Sequence, residues 1–152
     1  IGEWNEGRNL KKRLIADMQN VALGTVNKNC KAVLVWNLML DKKKGPNLDG
    51  GCQSCYGAVD INQNNYKDLS YNSHYFIIAH LSVAAEPGAV RIGTSRTPGK
   101  EKLISSQFRN PDGTYGVVFV NDDDTECNVT VSDGQRHFLV NIPAKAVVSA
   151  RF

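Results

Sequence analysis

The spacing of apolar positions changes character along the chain. From Leu10 the apolar residues Leu14, Ile15, Met18, Val21 and Ala22 recur at helical spacing, while Lys11, Lys12, Arg13, Asp17 and Gln19 occupy the other face, which predicts an amphipathic helix over Leu10 to Leu23. Asn9 is placed to cap its start and Gly24 to end it. A link from Thr25 to Cys30 leads to a continuous run, Lys31 to Leu40, whose Ala32, Val33, Leu34 and Val35 are apolar on both faces. Such a run predicts a buried parallel strand with neighbours on either side and helices outside them. It reaches a Trp36-Asn37 pair and breaks into a loop of Lys, Gly, Pro, Asn and Asp, the form of a strand that delivers residues to a site at its carboxyl end.

Gly57 to Asn62 alternates as a short strand, Gln63-Asn64-Asn65 makes a turn, and Tyr66 to Ser70 can return as its hairpin partner. A second amphipathic helix is predicted over Ser73 to Val83, with Tyr75, Ile78, Ala79 and Ser82 on one stripe and Phe76, Ile77 and Leu81 broadening it. Glu86-Pro87-Gly88 stops it. Beyond that point the period becomes two, with turns between short segments, the pattern of an antiparallel β-sandwich. The expected strands are Ala89 to Ser95, Leu103 to Arg109, Tyr115 to Asn121, Cys127 to Ser132, Arg136 to Ile142 and Ala146 to Phe152, punctuated by Asn110-Pro111-Asp112-Gly113 and Ser132-Asp133-Gly134. The fold class is thus α/β plus all-β, with a first part over residues 1–86 and a sandwich over residues 87–152. The first part is unfinished, because nothing in this chain can bury its one parallel strand on both sides.

Charge and cysteine content narrow the chemistry. The 152 residues carry 18 basic and 15 acidic side chains, interspersed, for a net charge of +3. The one cationic run, Lys42-Lys43-Lys44, reads as a solvated loop, so a nucleic-acid partner is not expected. No apolar stretch approaches the roughly 20 residues of a membrane span, and the start at Ile1 suggests a processed chain, a fragment or an excised domain. A zinc ribbon needs two cysteine pairs or a pair with spaced histidines. Only Cys52 and Cys55 form a C-x-x-C, and His74, His80 and His137 do not complete it, so no metal site and no cofactor are expected. The pair reads as a loop-stapling disulfide or as two free thiols. Cys30 and Cys127 read as small core residues, His74 and His80 as packing or hydrogen-bonding residues. The Asn121-Asp122-Asp123-Asp124 stretch is a calcium candidate that reads first as a solvated turn, and the Asn128-Val129-Thr130 acceptor triplet falls in mid-strand.

Several stretches together carry a family resemblance. WNLMLDKKKGPNLDGGCQSCYGAVDIN, YNSHYFIIAHLSVAAEPGAVRIGTS, FRNPDGTYGVVFVND and IPAKAVVSARF resemble, in order, the carboxyl-terminal third of glycoside hydrolase family 30, the family of glucosylceramidases and related bacterial β-glycosidases. The cysteine pair is closer to the bacterial members. The resemblance implies the last helix-strand-helix part of a (β/α)8 barrel, with the barrel's eighth strand at Lys31 to Leu38, followed by the side β-sandwich. It also implies retaining hydrolysis by two glutamates about 5 Å apart. Neither is matched here: Gly2-Glu3-Trp4 corresponds to a motif that follows the nucleophile, and Glu3 is its separate second glutamate. No catalytic residue is therefore assigned to this chain, which is expected to be inactive alone.

What the resemblance leaves to these residues is one wall of a sugar pocket. Trp36 corresponds to the tryptophan at the floor of the sugar site, where an indole face packs on a pyranose ring. Asn37 is placed to bond a sugar hydroxyl or a pocket neighbour, and Asn47, Asp49 and Cys52 to rim the site. The expected partners are a β-glycoside or glycolipid substrate and the rest of the barrel, in a secreted or periplasmic setting. The alternative is a non-catalytic carbohydrate-binding or interaction sandwich, which would need aromatics displayed on one face among Phe108, Tyr115, Phe119, Phe138 and Phe152.

Overall fold

The computed structural model of the chain describes residues 10–93 and 99–152. Glu3 and its flanking Gly2 and Trp4, the expected cap Asn9 and the end of the strand expected to reach Ser95 lie outside them.

The first helix runs further than its pattern predicts. It comprises α1 (Leu10–Asp17), a π-helical turn (Met18–Ala22) and α2 (Leu23–Val26), so Gly24 does not end it. A Cβ at Gly24 would lie 2.5 Å from the carbonyl oxygen of Gln19, five residues back, so the wider turn selects glycine by close approach rather than as a cap. The Thr25 hydroxyl donates to the carbonyls of Val21 and Ala22 at 2.7 and 3.0 Å as the helix leaves the wide turn.

Three short strands follow: β1 (Met39–Asp41), β2 (Val59–Ile61) parallel to it, and β3 (Leu69–Tyr71) antiparallel to β2. The expected buried strand is the main correction. Residues 31–38 form no strand, bonding β2 only through the Leu38 carbonyl, and Leu34, Trp36 and Leu38 are 92, 77 and 78% exposed. Only Leu40, at the end of the run, is buried. The other face of this stretch is covered, since Val35 packs against the helix core. Helix α3 (Ser73–Ala84) forms as expected, and Ile78 of the expected stripe faces the core with His74, Ile77, Leu81 and Ala84, whereas Tyr75 and Ser82 are outward.

Strands β4 (Val90–Gly93), β5 (Leu103–Arg109), β6 (Tyr115–Asn121) and β9 (Ala146–Arg151) form one antiparallel sheet in the order β4-β5-β6-β9, and β7 (Cys127–Ser132) pairs with β8 (His137–Ile142) as a separate hairpin. Alternation along β6 builds three layers. Val118 and Val120 meet Ile15, Met18, Ala22, Leu23, Ile77 and Ala84 from the helices, whereas Val117 and Phe119 meet Cys127 and Ile142 of the hairpin. Each such fully buried side chain contributes about 1.5 to 3 kcal/mol, so this strand holds helices and hairpin together. The helix core is continuous with the sheet across residues 86 and 87. Of the two cysteines outside the pair, Cys127 is buried and Cys30 is exposed, because Cys30 precedes the uncovered stretch.

Candidate functional site

Two of the candidate residues, Trp36 and Asn37, lie at one hydrogen-bonded row that joins the exposed stretch to the three short strands. The carbonyl of Asn37 accepts from the Ala58 N–H at 2.8 Å, and that of Leu38 from the Val59 N–H at 3.0 Å. On the far side, the Ala58 carbonyl accepts from the Asn72 N–H at 2.9 Å, and the Asn72 side chain donates to the Gly57 carbonyl at 2.9 Å. Asn72 stands where a residue capping α3 would, yet its buried amide serves this row instead. Gly57 is required there by contact, since a Cβ would come within 2.7 Å of the Leu40 nitrogen and the Val59 oxygen. Trp36 and Asn37, joined by a cis peptide bond, therefore hang from a fixed edge, the indole open to solvent and Asn37 half-buried.

The loop that leaves β1 is held at its root by Asp41. Its carboxylate accepts from the N–H groups of Lys43 at 2.7 Å and Gly45 at 2.9 Å, an Asx turn that sequence reading passed over although Asp-x-Lys-x-Gly is turn chemistry. Asn47 donates to the Lys44 carbonyl at 2.7 Å, and Asn47, Asp49 and Cys52 are all exposed. A disulfide joins Cys52 to Cys55. Trp36 and Asn37 are thus neighbours on the row, while Asn47, Asp49 and Cys52 share the loop beyond β1.

None of these residues lines a cleft of about 640 Å³ among the described residues, bounded by Cys30, Ala32 and Val33, the carboxyl half of α3 and the segment after it. That cleft lies beside the amino-terminal end of the unpaired stretch, away from Trp36. His74 packs and His80 hydrogen-bonds. His74 is stacked on Tyr56 with ring centroids 5.0 Å apart, and burial pushes its imidazole pKa down. His80 bonds the Ser149 hydroxyl through Nδ1 at 3.0 Å, and burial again lowers its pKa. In the acidic turn, Asp122 pairs with Lys145 at 2.9 Å and Asn121 donates to the Thr125 and Pro143 carbonyls at 2.9 and 3.0 Å. Among the described residues no helix is long and apolar enough to cross a membrane.

Comparison with known proteins joins this geometry to a family. The model for the glycosyl hydrolase family 30 β-sandwich domain matches residues 88–150. A solved structure described as the endo-β1,6-glucanase BT3312 superposes with a TM-score of 0.92 at 56% identity, covering 99% of this chain and 33% of that one. Residues 88–150 are therefore a family 30 β-sandwich domain. The endo-1,6-β-D-glucanase neg1 of Aspergillus fumigatus is 32% identical over 97% of this chain and 28% of its own length. A putative glucosylceramidase of Caenorhabditis elegans is 29% identical over 88% of this chain and 24% of its own. The chain thus spans about a quarter to a third of the length of the proteins it matches. Its sandwich buries Phe108 and Phe119, at 5 and 3% exposure, so these two rings offer no face to a ligand.

Proposed function

We propose that residues 1–86 supply the seventh helix, eighth strand and eighth helix of a (β/α)8 barrel, that residues 87–152 are its side sandwich, and that the protein is a retaining β-glycosidase. The observation that carries this reading is the one-sided covering of residues 31–38. Val35 packs against the core that the helices share with the sheet, as the covered face of a barrel strand does, while Leu34 and Trp36 stand bare where the barrel interior and its sugar would be. Trp36 packs its indole on the bound pyranose, Asn37 bonds a hydroxyl or a pocket neighbour, and Asn47, Asp49 and Cys52 rim the opening. The acid and the nucleophile are two glutamates on other barrel strands. One protonates the leaving oxygen while the other attacks the anomeric carbon, and water then releases the sugar. Relatives described as endo-1,6-β-glucanases favour a β-1,6-linked glucan over a glycosylceramide as substrate. The disulfide suits a secreted or periplasmic setting.

The test is hydrolysis by the intact protein of a β-1,6-glucan, an aryl β-glucoside and glucosylceramide. Trp36→Ala is expected to lower kcat/KM on the hydrolysed substrate about tenfold, the worth of a lost aromatic face. Unchanged kinetics in that variant overturn the pocket role of Trp36. Turnover by the 152-residue chain alone, abolished by Glu3→Gln, would instead make Glu3 catalytic.

A further inference from the structure

The row that carries Trp36 at one side carries a second aromatic group at the other. Tyr71 ends β3 and Tyr75 lies in the first turn of α3, with ring centroids 4.4 Å apart. Phe76 meets both edge-on, at 6.4 Å from Tyr71 and 5.4 Å from Tyr75. The three rings fix one another, yet Tyr71 and Tyr75 remain 44 and 41% exposed. Rings held in place but uncovered lose little freedom when a flat apolar face settles on them.

Position ties this group to the candidate site. Asn37 and Asn72 both bond Ala58, from opposite sides, so Trp36 and Tyr71 each sit one residue before an anchor of a single row. Two strand spacings separate those anchors, roughly 10 Å. A single glucosyl unit does not cover that distance and a short run of linked units does. The surroundings suit an uncharged polymer: the nearby carboxylate of Asp68 is occupied by the Asn62 and Asn65 amides at 3.2 and 2.7 Å.

We propose that Tyr71 and Tyr75 form an outer sugar-binding platform, which holds glucosyl units of a β-glucan chain beyond the unit stacked on Trp36. This rests on the glycosidase reading above and adds chain length as a determinant of its specificity.

The test compares the intact protein with Tyr71→Ala, Tyr75→Ala and Tyr71→Phe on a long β-1,6-glucan and on an aryl β-glucoside, with thermal midpoints recorded. Each alanine variant is expected to lose roughly 3- to 10-fold in kcat/KM on the polymer, mainly through KM, and nothing on the aryl glucoside, while Tyr71→Phe keeps most of the polymer activity. Equal losses on both substrates, a lowered midpoint, or no loss on either overturn the platform. Should the unsubstituted protein cleave neither substrate, the glycosidase reading fails separately. The platform is then judged by retardation of the intact protein in gels containing β-1,6-glucan. Retardation lost in Tyr71→Ala supports it and no retardation overturns it.

Discussion

A Cβ placed on Gly116 would fall 1.8 Å from the carbonyl oxygen of Ala84, so the last turn of α3 rests directly on the backbone of β6. Asn110 fixes the same contact from the β5–β6 turn, donating to the Ala84 carbonyl at 3.2 Å and accepting from the Glu86 N–H at 2.9 Å. Gly116→Ala must push a helix end off a sheet, and is expected to cost about 3 kcal/mol or more. Gly113→Ala, at a positive φ of 87° with open space around it, should cost only about 1 kcal/mol. Urea midpoints of the two variants check the order, and a milder effect at Gly116 would contradict the contact.

Acid stability should depend on the turn that faces this contact. Hydrogen bonds from the Thr114 hydroxyl and N–H, with Arg151 at 2.6 Å, lower the pKa of Asp112 from its ordinary 3.8 to about 2. A carboxylate whose folded pKa is lowered contributes fully above the unfolded value, and its contribution is lost as pH falls through the folded one. Asp112→Asn is therefore expected to flatten the pH dependence of unfolding between about pH 4 and pH 2. An unaltered acid limb would count against it.

The Cys52–Cys55 disulfide closes a very short loop, so the denatured chain loses little freedom by it. Its reduction, or Cys52→Ser, is expected to cost about 2 kcal/mol at most. Both hydrophobic cores lie outside that loop and should persist, with near-UV circular dichroism unchanged. Loss of tertiary signal on mild reduction would show a wider role.

Thiol labelling separates the remaining cysteines. In the 152-residue chain Cys30 is exposed and should react with a maleimide at once, whereas Cys127 should react only on unfolding. In the intact protein Cys30 is expected to be shielded by the rest of the barrel. Equal labelling in both would contradict the proposed covering of residues 31–38.

Much of the fold was legible because its rules are local. The strands Leu103–Arg109, Tyr115–Asn121 and Cys127–Ser132 lie where alternation and turn residues put them. Helix α3 runs one residue beyond its expected end. Hydrophobicity alone misled at residues 31–38, since an apolar run records that a segment is to be covered and not by what. Gly24 looked like a stop because a glycine required by a π turn has the same letter as a glycine required by a cap. Trp36 and Asn37 stood out at a strand end, whereas the row through Gly57, Ala58 and Asn72 joins positions too far apart in sequence for any periodicity to reveal.

The two-sided burial of β6 has a consequence for where the chain can be divided. The segment matching the sandwich model begins at residue 88, yet Phe108, Val118 and Val120 look back across that point to Ile15, Met18 and Ile77. A protease cut or truncation there would leave an intact sheet with its helix-facing side stripped to an apolar surface, prone to self-association. A boundary drawn by sequence kinship is here a seam through the middle of a folding unit.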